Sequence, residues 1–357
     1  MSLYRFISEE TAAQFPRTRL QEGDFVISVR GTMGKVGIVP KELDGANITA
    51  NLIRISPDRN KIYPCWLQQV FINERFQEQL NNASSSTTIK TIKALELSSL
   101  KLALPTLIEQ KRIAEILLTI DSAIEKTSQL IEKKKELKKG LMQELLSRGI
   151  GHKKFRKTEV GEIPEGWEIA KIKDVGKIIT GGTPPTKNMK YYNGEYLWAT
   201  PADLGMNKYI RSTKRMLSKE GMEVSRIIPK DAILIVCIGS TIGKIGLAVQ
   251  DMAANQQINS VICNNQLDSQ FVYYWLLKSS NSLVSMAGRQ AVPIVNKTDF
   301  SLLTIAKPPQ IEQQRIGFIL TSVDAEIEQE VSEKYKFEQL KKGLMQALLT
   351  GRVRVKI

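Results

Sequence analysis

Two glycine-rich turns each present one lysine, a group that can bind phosphate. The first reads GTMGKVG over Gly31–Gly37, and the second reads GSTIGKIG over Gly239–Gly246. A nucleotide phosphate loop needs four residues between its glycines and a hydroxyl residue after the lysine. The second turn has only three such residues, and Lys244 is followed by Ile245. The sequence therefore favours a tight turn between two strands, with an exposed lysine that could meet a DNA phosphate.

A second pair of loops carries hydroxyl, amide and guanidinium groups. NNASSSTTIKTIK spans Asn81–Lys93, and MAGRQAVPIVNK spans Met286–Lys297. Such groups can hydrogen-bond to base edges or to phosphates. The alternative interpretation is an ordinary polar surface loop, and the two are equally compatible with the residues alone.

The residues of familiar catalytic sites are scarce. His152 is the only histidine, and Cys65, Cys237 and Cys263 lie far apart without a metal-binding spacing. These facts argue against a Ser-His-Asp triad, a Cys-His pair and a zinc hydrolase site. We also find no nucleophile elbow, no G-x-G-x-x-G and no familiar carboxylate cluster. The sequence predicts a protein that is not an enzyme and that holds no cofactor and no metal.

Net charge points to a polyanionic partner. The chain carries a formal charge of +14, and Ile131–Lys157 alone holds ten Lys or Arg against three Glu. A phosphate backbone is the commonest polyanion for such a protein, although a solvated helix face would also explain this stretch. The apolar content of 42% is that of an ordinary globular protein. We predict a cytoplasmic protein, since no secretory leader and no apolar run of about 18 residues is present.

The elements that must position these loops occur twice. Leu104–Leu146 reads LPTLIEQKRIAEILLTIDSAIEKTSQLIEKKKELKKGLMQELL, and Lys307–Leu349 reads KPPQIEQQRIGFILTSVDAEIEQEVSEKYKFEQLKKGLMQALL, at an offset of 203 residues. Apolar residues recur at alternating steps of four and three, as in a coiled-coil seam. We predict two helices of about 40 residues, roughly 60 Å long, that pack antiparallel within one chain or between two copies. The seam residues are Ile113, Leu117, Ile120, Ile124, Leu137, Leu141 and Leu145, and then Ile316, Leu320, Val323, Ile327, Leu340, Leu344 and Leu348.

A globular region precedes each predicted helix, with short strands followed by a helical stretch in the same order. Ser147–Pro164, between the first helix and the second region, is rich in glycine and charge and is interpreted as a linker. The predicted strands are Asp24–Val29, Lys35–Val39 and Asn51–Ile55, and then Ala232–Ile238, Lys244–Val249 and Ser260–Cys263. The predicted helical stretches are Tyr63–Gln79 and Phe271–Leu283.

This arrangement resembles the specificity subunit of a type I restriction-modification system. The second region also opens with Gly166-Trp167-Glu168 and Gly181-Gly182-Thr183-Pro184, which fit that family. The resemblance covers nearly the whole chain. The residues that carry it are Pro105, Ile108-Glu109-Gln110, Arg112-Ile113, Asp121 and Leu141–Leu146, repeated at Pro308, Ile311-Glu312-Gln313, Arg315-Ile316, Asp324 and Leu344–Leu349.

The resemblance implies an α+β fold with two mixed α/β target-recognition domains, separated by two long antiparallel coiled-coil helices in a pseudo-two-fold internal repeat. It implies that each domain reads one half of a bipartite site in double-stranded DNA, and that the helices set the gap between the half-sites. Partners would be two modification (methyltransferase) subunits and, through them, restriction subunits, with no membrane. S-adenosylmethionine and ATP would bind those partners, not this chain.

Candidate DNA contacts follow from residue type and loop position. The resemblance transfers none of them one to one, because the reading residues of the family vary with the sequence recognised. In the first domain the candidates are Arg30, Thr32, Lys35, Ser85, Thr87, Thr88 and Lys90, and in the second they are Lys187, Lys190, Tyr191, Tyr192, Lys244, Arg289 and Gln290.

One departure from the family pattern concerns the first domain. Arg215–Glu220 matches Arg5–Glu10 at an offset of 210, so the first domain lacks a counterpart of roughly Thr158–Arg211. A shortened reading frame, a deliberate truncation or a part supplied by another chain would explain this. The first domain could then read its half-site incompletely, or expose apolar surface that promotes self-association when partners are absent. The predicted domain ranges are 1–104, 105–150, 151–306 and 307–357.

Two other functions compete with DNA recognition. A structural scaffold would recruit modification subunits through the helices after the shortened first domain had lost full DNA reading. An enzyme acting on nucleic acid would turn over substrate as an isolated chain, which the missing motifs argue against.

Overall fold

The computed structural model describes residues 5–85, 90–288 and 292–356. It divides into two compact units. The first unit combines residues 1–130 with 330–357, and the second comprises 131–329.

The helices and strands alternate along the chain in the order expected for mixed α/β regions. The helices are α1 Glu9–Ala13, α2 Pro64–Ile72, α3 Glu74–Ala83, α4 Ala94–Ser98, α5 Leu107–Arg148, α6 Ile172–Val175, α7 Lys219–Glu223, α8 Ser269–Lys278, α9 Ser280–Met286, α10 Lys297–Ser301 and α11 Gln310–Leu348. The strands are β1 Phe25–Ser28, β2 Val36–Ile38, β3 Leu52–Ile55, β4 Phe155–Thr158, β5 Gly161–Pro164, β6 Glu168–Lys171, β7 Gly176–Thr180, β8 Tyr192–Ala199, β9 Tyr209–Ile210, β10 Met216–Leu217, β11 Ile233–Val236, β12 Ile245–Ala248, β13 Ala253–Ala254, β14 Ile258–Cys263 and β15 Thr304–Lys307. Short 3₁₀ turns occur at Pro16–Thr18, Lys41–Leu43, Met189–Tyr191 and Pro201–Asp203.

The first unit is built on an antiparallel sheet with the order β2-β1-β3. Along β1, Phe25 and Ile27 are buried while the residues between them are half-buried, so one face of the sheet is turned to the core. The core on that face includes Trp66 and Phe71 from α2 and Leu80 from α3. The helical stretch predicted over Tyr63–Gln79 is thus two helices.

The second unit has a larger sheet with the order β7-β14-β11-β12-β9, antiparallel except for the β12–β9 pair. All four residues of β11 are buried, because both faces of this sheet are covered. Ile233 and Ile235 pack in the core that includes Phe271 of α8. Leu234 packs in a separate core on the other face, which includes Leu197 of β8. Smaller sheets have the orders β10-β8-β13, β15-β6 and β4-β5.

The two long helices are present and pack antiparallel, as the repeat predicts. In the first unit the start of α5 and the end of α11 share a core, in which Leu117 and Leu348 are buried. In the second unit the end of α5 and the start of α11 share a core, in which Leu145 and Leu320 are buried. Within the described ranges, no helix is both long enough and apolar enough to cross a membrane.

Most of the predicted seam residues are buried or half-buried, but Leu137 and Leu340 are 55% and 50% exposed. The structure therefore does not place these two leucines in a buried seam. The alternation of three and four residues after Ile131 leads to Lys138, and the equivalent position in α11 is Lys341. Both lysines are mostly buried and pair with aspartates, Lys138 with Asp324 and Lys341 with Asp121.

The glutamine of the repeated Ile-Glu-Gln motif fixes each globular region to its long helix. Gln110 is fully buried; its Oε1 accepts from the backbone N–H of Tyr63 at 2.8 Å, and its Nε2 donates to the carbonyl of Pro105 at 3.0 Å. Gln313 repeats this arrangement with the N–H of Asp268 at 3.0 Å and the carbonyl of Pro308 at 2.8 Å. These bonds tie the residue that precedes α2 or α8 to the start of a long helix.

The stretch interpreted as a linker, Ser147–Pro164, contains ordered structure. β4 and β5 form a hairpin within it. His152 Nε2 lies 2.9 Å from Oε1 of Glu312, whose Oε2 also accepts from the indole N–H of Trp167 at 3.0 Å. The interpretation as a linker therefore does not hold for residues 155–164, which form this hairpin, and His152 contacts a residue 160 positions further along the chain.

Candidate nucleic-acid interface

The first glycine-rich turn joins β1 to β2, as the sequence predicts. Gly31 and Gly34 have φ of +74° and +86°, a conformation that favours glycine. Ser28 Oγ accepts from the N–H of Lys35 at 2.9 Å and donates to the carbonyl of Thr32 at 2.6 Å. The serine thus holds the turn closed, and the side chains of Thr32 and Lys35 are exposed.

The second glycine-rich turn joins β11 to β12 in the same way. Gly239 and Gly243 have φ of +98° and +89°. The N–H of Val236 donates to the carbonyl of Lys244 at 2.9 Å, which closes the turn. Lys244 is half-buried, and its stem lies so close to Gly205 that a Cβ there would meet its Cγ at 3.0 Å. The Lys244 stem is therefore fixed by packing.

The structure brings the second predicted loop beside the glycine-rich turn in each unit. In the first unit Ile92 donates to the carbonyl of Val29 at 3.2 Å, and Arg30 forms an antiparallel bridge with Thr91. In the second unit Gly239 donates to the carbonyl of Pro293 at 2.9 Å. One end of each sheet thus gathers both predicted loops. Exposed candidates at this end of the first unit are Arg30, Thr32, Lys35, Ser85 and Lys90.

Some candidates lie outside the described residues. These are Thr87 and Thr88 in the first loop and Arg289 and Gln290 in the second. Their contribution to DNA contact stays a prediction from the sequence.

The remaining candidates precede or begin β8. Lys187 and Lys190 are exposed and Tyr191 is half-buried. Tyr192 is only 7% exposed; its hydroxyl donates to the carbonyl of Pro184 at 2.5 Å, and its ring lies 6.0 Å from that of Trp198. The structure makes Tyr192 a core residue, because its ring and its hydroxyl both have partners inside the unit.

One exposed cation beside this core was missed in the sequence. The guanidinium of Arg215 lies over the rings of Tyr192 and Trp198, 4.9 Å from each centroid. Cation–π contact with two rings holds an exposed charge in a defined position. No sequence pattern identifies this pairing, since Trp198 and Arg215 lie on different elements.

Polar residues at the end of the second sheet were also missed. Because β7 and β14 are antiparallel neighbours, Gly181–Pro184 after β7 lies beside Asn255–Gln257 before β14. Thr183 Oγ1 donates to Gln256 Oε1 at 2.6 Å. The Gly-Gly-Thr-Pro motif marked one of these two segments, but nothing in the sequence indicated the other.

A buried lysine sits between the second sheet and the second long helix. Lys208, just before β9, is 6% exposed, and its Nζ donates to the hydroxyls of Tyr274 at 2.9 Å and Thr321 at 2.7 Å. Burial, with a further contribution from the charge of Lys138, lowers the pKa of Lys208 to about 8, against the opposing attraction of Asp324. This lysine connects the strand that flanks β12 to the helix α11.

Two of the cysteine thiols lack the lowered pKa that activates a thiol as a nucleophile. Burial raises the pKa of Cys237 to about 11 and that of Cys263 to about 12, so both stay protonated at neutral pH. Among the residues with defined positions, no cluster of three or more His, Cys, Asp or Glu side chains could hold a metal ion.

Comparisons by sequence and by structure both find similarity to specificity subunits of type I restriction systems. A family model described as the type I restriction modification DNA specificity domain matches residues 2–136 and 164–336. The chain is 29% identical to the putative type I restriction enzyme MjaX specificity subunit of Methanocaldococcus jannaschii, over 98% of this chain and 82% of that protein. It is 24% identical to the type I restriction enzyme HindI specificity subunit of Haemophilus influenzae, over 81% of this chain and 77% of that protein. The crystal structure of the type I restriction-modification S subunit from M. genitalium shares the fold, with a TM-score of 0.62 at 15% identity over 94% of this chain and 84% of that one.

Proposed function

This chain belongs to the type I restriction-modification DNA specificity family, and from this premise we propose that it reads DNA sequence without catalysing a reaction. It would position modification and restriction subunits that carry the chemistry. The observation that carries the proposal is the repeated sheet end: each unit places a lysine-bearing glycine turn beside a polar loop. Two such surfaces in one chain suit a site with two parts.

The finer features of this function belong to the proposal as well. Each of two recognition domains, residues 1–104 and 151–306, would read one half of a bipartite double-stranded site. The long-helix segments, residues 105–150 and 307–357, would set the number of base pairs between the half-sites. They would also provide surfaces for two modification subunits, and restriction subunits would join through that complex in the cytoplasm.

Charge supports DNA as the ligand. At a net charge of +14, the protein attracts phosphate backbones without regard to sequence, and this attraction weakens as salt rises. Base contacts from the sheet ends would then supply discrimination, since phosphate contacts carry no sequence information. Binding that did not respond to ionic strength would contradict the proposal.

Exposed apolar residues in the first unit support a tendency to self-associate. Phe6 is 87% exposed, and Ile7 and Phe15 are each 54% exposed. In the second unit Leu217, the counterpart of Ile7, is fully buried beside Trp198. We propose that this surface promotes association of the chain with itself when its partners are absent.

The deciding experiment is selection from a random double-stranded DNA library with the chain co-expressed with its cognate modification subunit. Two fixed motifs separated by a constant gap are expected, and the gap gives the spacing between the half-sites. One enriched motif would mean that a single domain reads DNA. A stable complex that enriches no motif would overturn the proposal and favour a scaffold for modification subunits.

A further inference from the structure

Three segments meet at the end of the second sheet that carries the glycine-rich turn. Thr180 ends β7 and pairs with Asn259 near the start of β14. β11, the neighbour of β14, ends at Val236 on the same side, just before the turn that contains Gly239. The segments 181–184, 255–257 and 237–244 therefore form one surface.

The backbone around Gln256 is held rigidly. A Cβ on Gly181 would lie 2.2 Å from the carbonyl oxygen of Asn255, so only glycine permits this close approach. Gln257 uses both ends of its amide: Oε1 accepts from Asn255 Nδ2 at 3.0 Å, and Nε2 donates to the carbonyl of Ile238 at 3.2 Å. The side chains of Asn255 and Gln257 thus stabilise the turn through hydrogen bonds within it, and Gln256 lies between them in the sequence.

Gln256 differs from its neighbours because it is exposed. Its Oε1 accepts from the hydroxyl of Thr183 at 2.6 Å. No other partner of this amide is found in the part of the chain that the structure describes. Among the described residues, one lone pair of Oε1 and both hydrogens of Nε2 are therefore left without a hydrogen-bond partner.

This is the set of groups with which glutamine reads adenine. In the major groove the N6 amino group of adenine donates and its N7 accepts, so one amide can form both bonds. Resting on the function proposed above, we infer that Gln256 is a specificity-determining residue that reads an adenine in the half-site of the second domain. Thr183 is a positioning residue, because it orients the amide before DNA arrives and so lowers the entropy lost on binding.

Cations at the same surface fit this role. Lys244 follows the glycine-rich turn, and Arg226 is exposed with its guanidinium donating to the carbonyl of Thr180 at 2.8 Å. Positive charges on either side of an amide can hold the phosphate backbones while the amide enters the groove. A lone glutamine on a neutral surface would lack this support.

The test compares base preferences in the complex of the full chain with its cognate modification subunit. Gln256→Ala, Thr183→Val and the wild-type chain are each used for library selection. Gln250→Ala is the matched control, because Gln250 is exposed and follows β12 at the opposite end of the sheet. Thermal unfolding and co-purification with the modification subunit establish that each variant folds and assembles.

Gln256→Ala is expected to lose the preference for adenine at one position of one half-site, while every other position is unchanged. Discrimination at that position should fall roughly 5- to 150-fold, the range for a bidentate base contact. Thr183→Val should weaken the same preference without changing the base preferred, and Gln250→Ala should match the wild type.

Two outcomes would overturn the inference while leaving the proposed function intact. In one, Gln256→Ala selects the wild-type motif with the wild-type preferences. In the other, affinity falls equally for all sequences, which would make Gln256 a backbone contact. A wild-type complex that selects no motif at all would instead overturn the proposed function, and this inference with it.

Discussion

Lys341 Nζ lies 2.6 Å from Oδ1 of Asp121. The equivalent residues at the 203-residue offset, Lys138 and Asp324, repeat this contact at 2.5 Å, now with the lysine on the first long helix and the aspartate on the second. Each pair joins the early part of one long helix to the late part of the other. The internal repeat in the sequence is therefore also a repeat of specific contacts. Partly buried ion pairs at a helix seam specify register, since a shifted alignment would leave their charges unpaired.

The coupling between Asp121 and Lys341 can be measured by a double-mutant cycle. We expect Asp121→Asn and Lys341→Met each to destabilise the protein, with an interaction free energy of about 1 kcal/mol because both side chains are partly shielded from water. Urea unfolding of the two single variants and the double variant measures this value. The exposed pair Arg112–Glu115 is the control, and its coupling should be below about 0.5 kcal/mol. Equal coupling in the two cycles would contradict a special role for Asp121.

Removal of Lys208 should change how stability depends on pH. The pKa of Lys208 is about 8 in the folded protein, against an ordinary value of 10.5. Between these values the unfolded chain holds the proton and the folded protein releases it, so the free energy of unfolding rises with pH. Relative to Lys208→Met, the wild type should gain up to about 3 kcal/mol from pH 8 to 10.5.

The measurement is denaturant unfolding of both proteins at several pH values in that window. Taking the difference between the two proteins removes the contributions of titratable groups that do not contact Lys208. Lys187→Met, which removes an exposed lysine, is the matched control. Parallel curves for the wild type and Lys208→Met would show that Lys208 does not titrate in this window.

Gly149 ends the first long helix at a position that excludes a side chain. Its φ is +65°, and a Cβ would lie 2.4 Å from Glu312 Oε1 and 2.7 Å from the ring of Trp167. Gly149→Ala should destabilise the protein by about 1–3 kcal/mol through backbone strain and displacement of Glu312. Gly140→Ala, within the same helix and with open space at its Cβ, should instead stabilise by about 0.5–1 kcal/mol. Thermal unfolding measures the stability of both variants. Destabilisation of similar size in Gly149→Ala and Gly140→Ala would refute a specific exclusion of side chains at Gly149.

The sequence was sufficient for elements whose pattern is local or repeated. The constant offset of 203 and the steps of four and three predicted both long helices and their antiparallel packing. The pattern wrongly placed Leu137 and Leu340 in the helix seam, because it was traced through apolar residues alone. In the structure the seam positions are occupied by the neighbouring residues Lys138 and Lys341. A lysine at a seam is recognisable only once its aspartate partner is known, and that partner is 186 residues away for Lys138 and 220 for Lys341.

The candidate site was predicted less completely for a related reason. The glycine turns were found because glycine and lysine form a local pattern. Thr183 and Gln256 meet only because β7 and β14 pair, and a contact between residues 73 apart leaves no trace in one sequence. Residue type and loop position made Tyr192 a candidate DNA contact, but its hydroxyl donates to the carbonyl of Pro184 inside the core.

Lys244 should contribute to DNA affinity but not to base preference. Its stem is fixed against Gly205 at the sheet end, where an ammonium group can meet a phosphate. In the complex with modification subunits, Lys244→Ala should weaken binding of all sequences alike and reduce the slope of log affinity against log salt by about 1. Lys230→Ala is the matched control, because this exposed lysine precedes β11 at the opposite end of the sheet and should leave the slope unchanged. Fluorescence anisotropy over a salt series measures the slope, and a change in the selected motif would mean that Lys244 contacts a base.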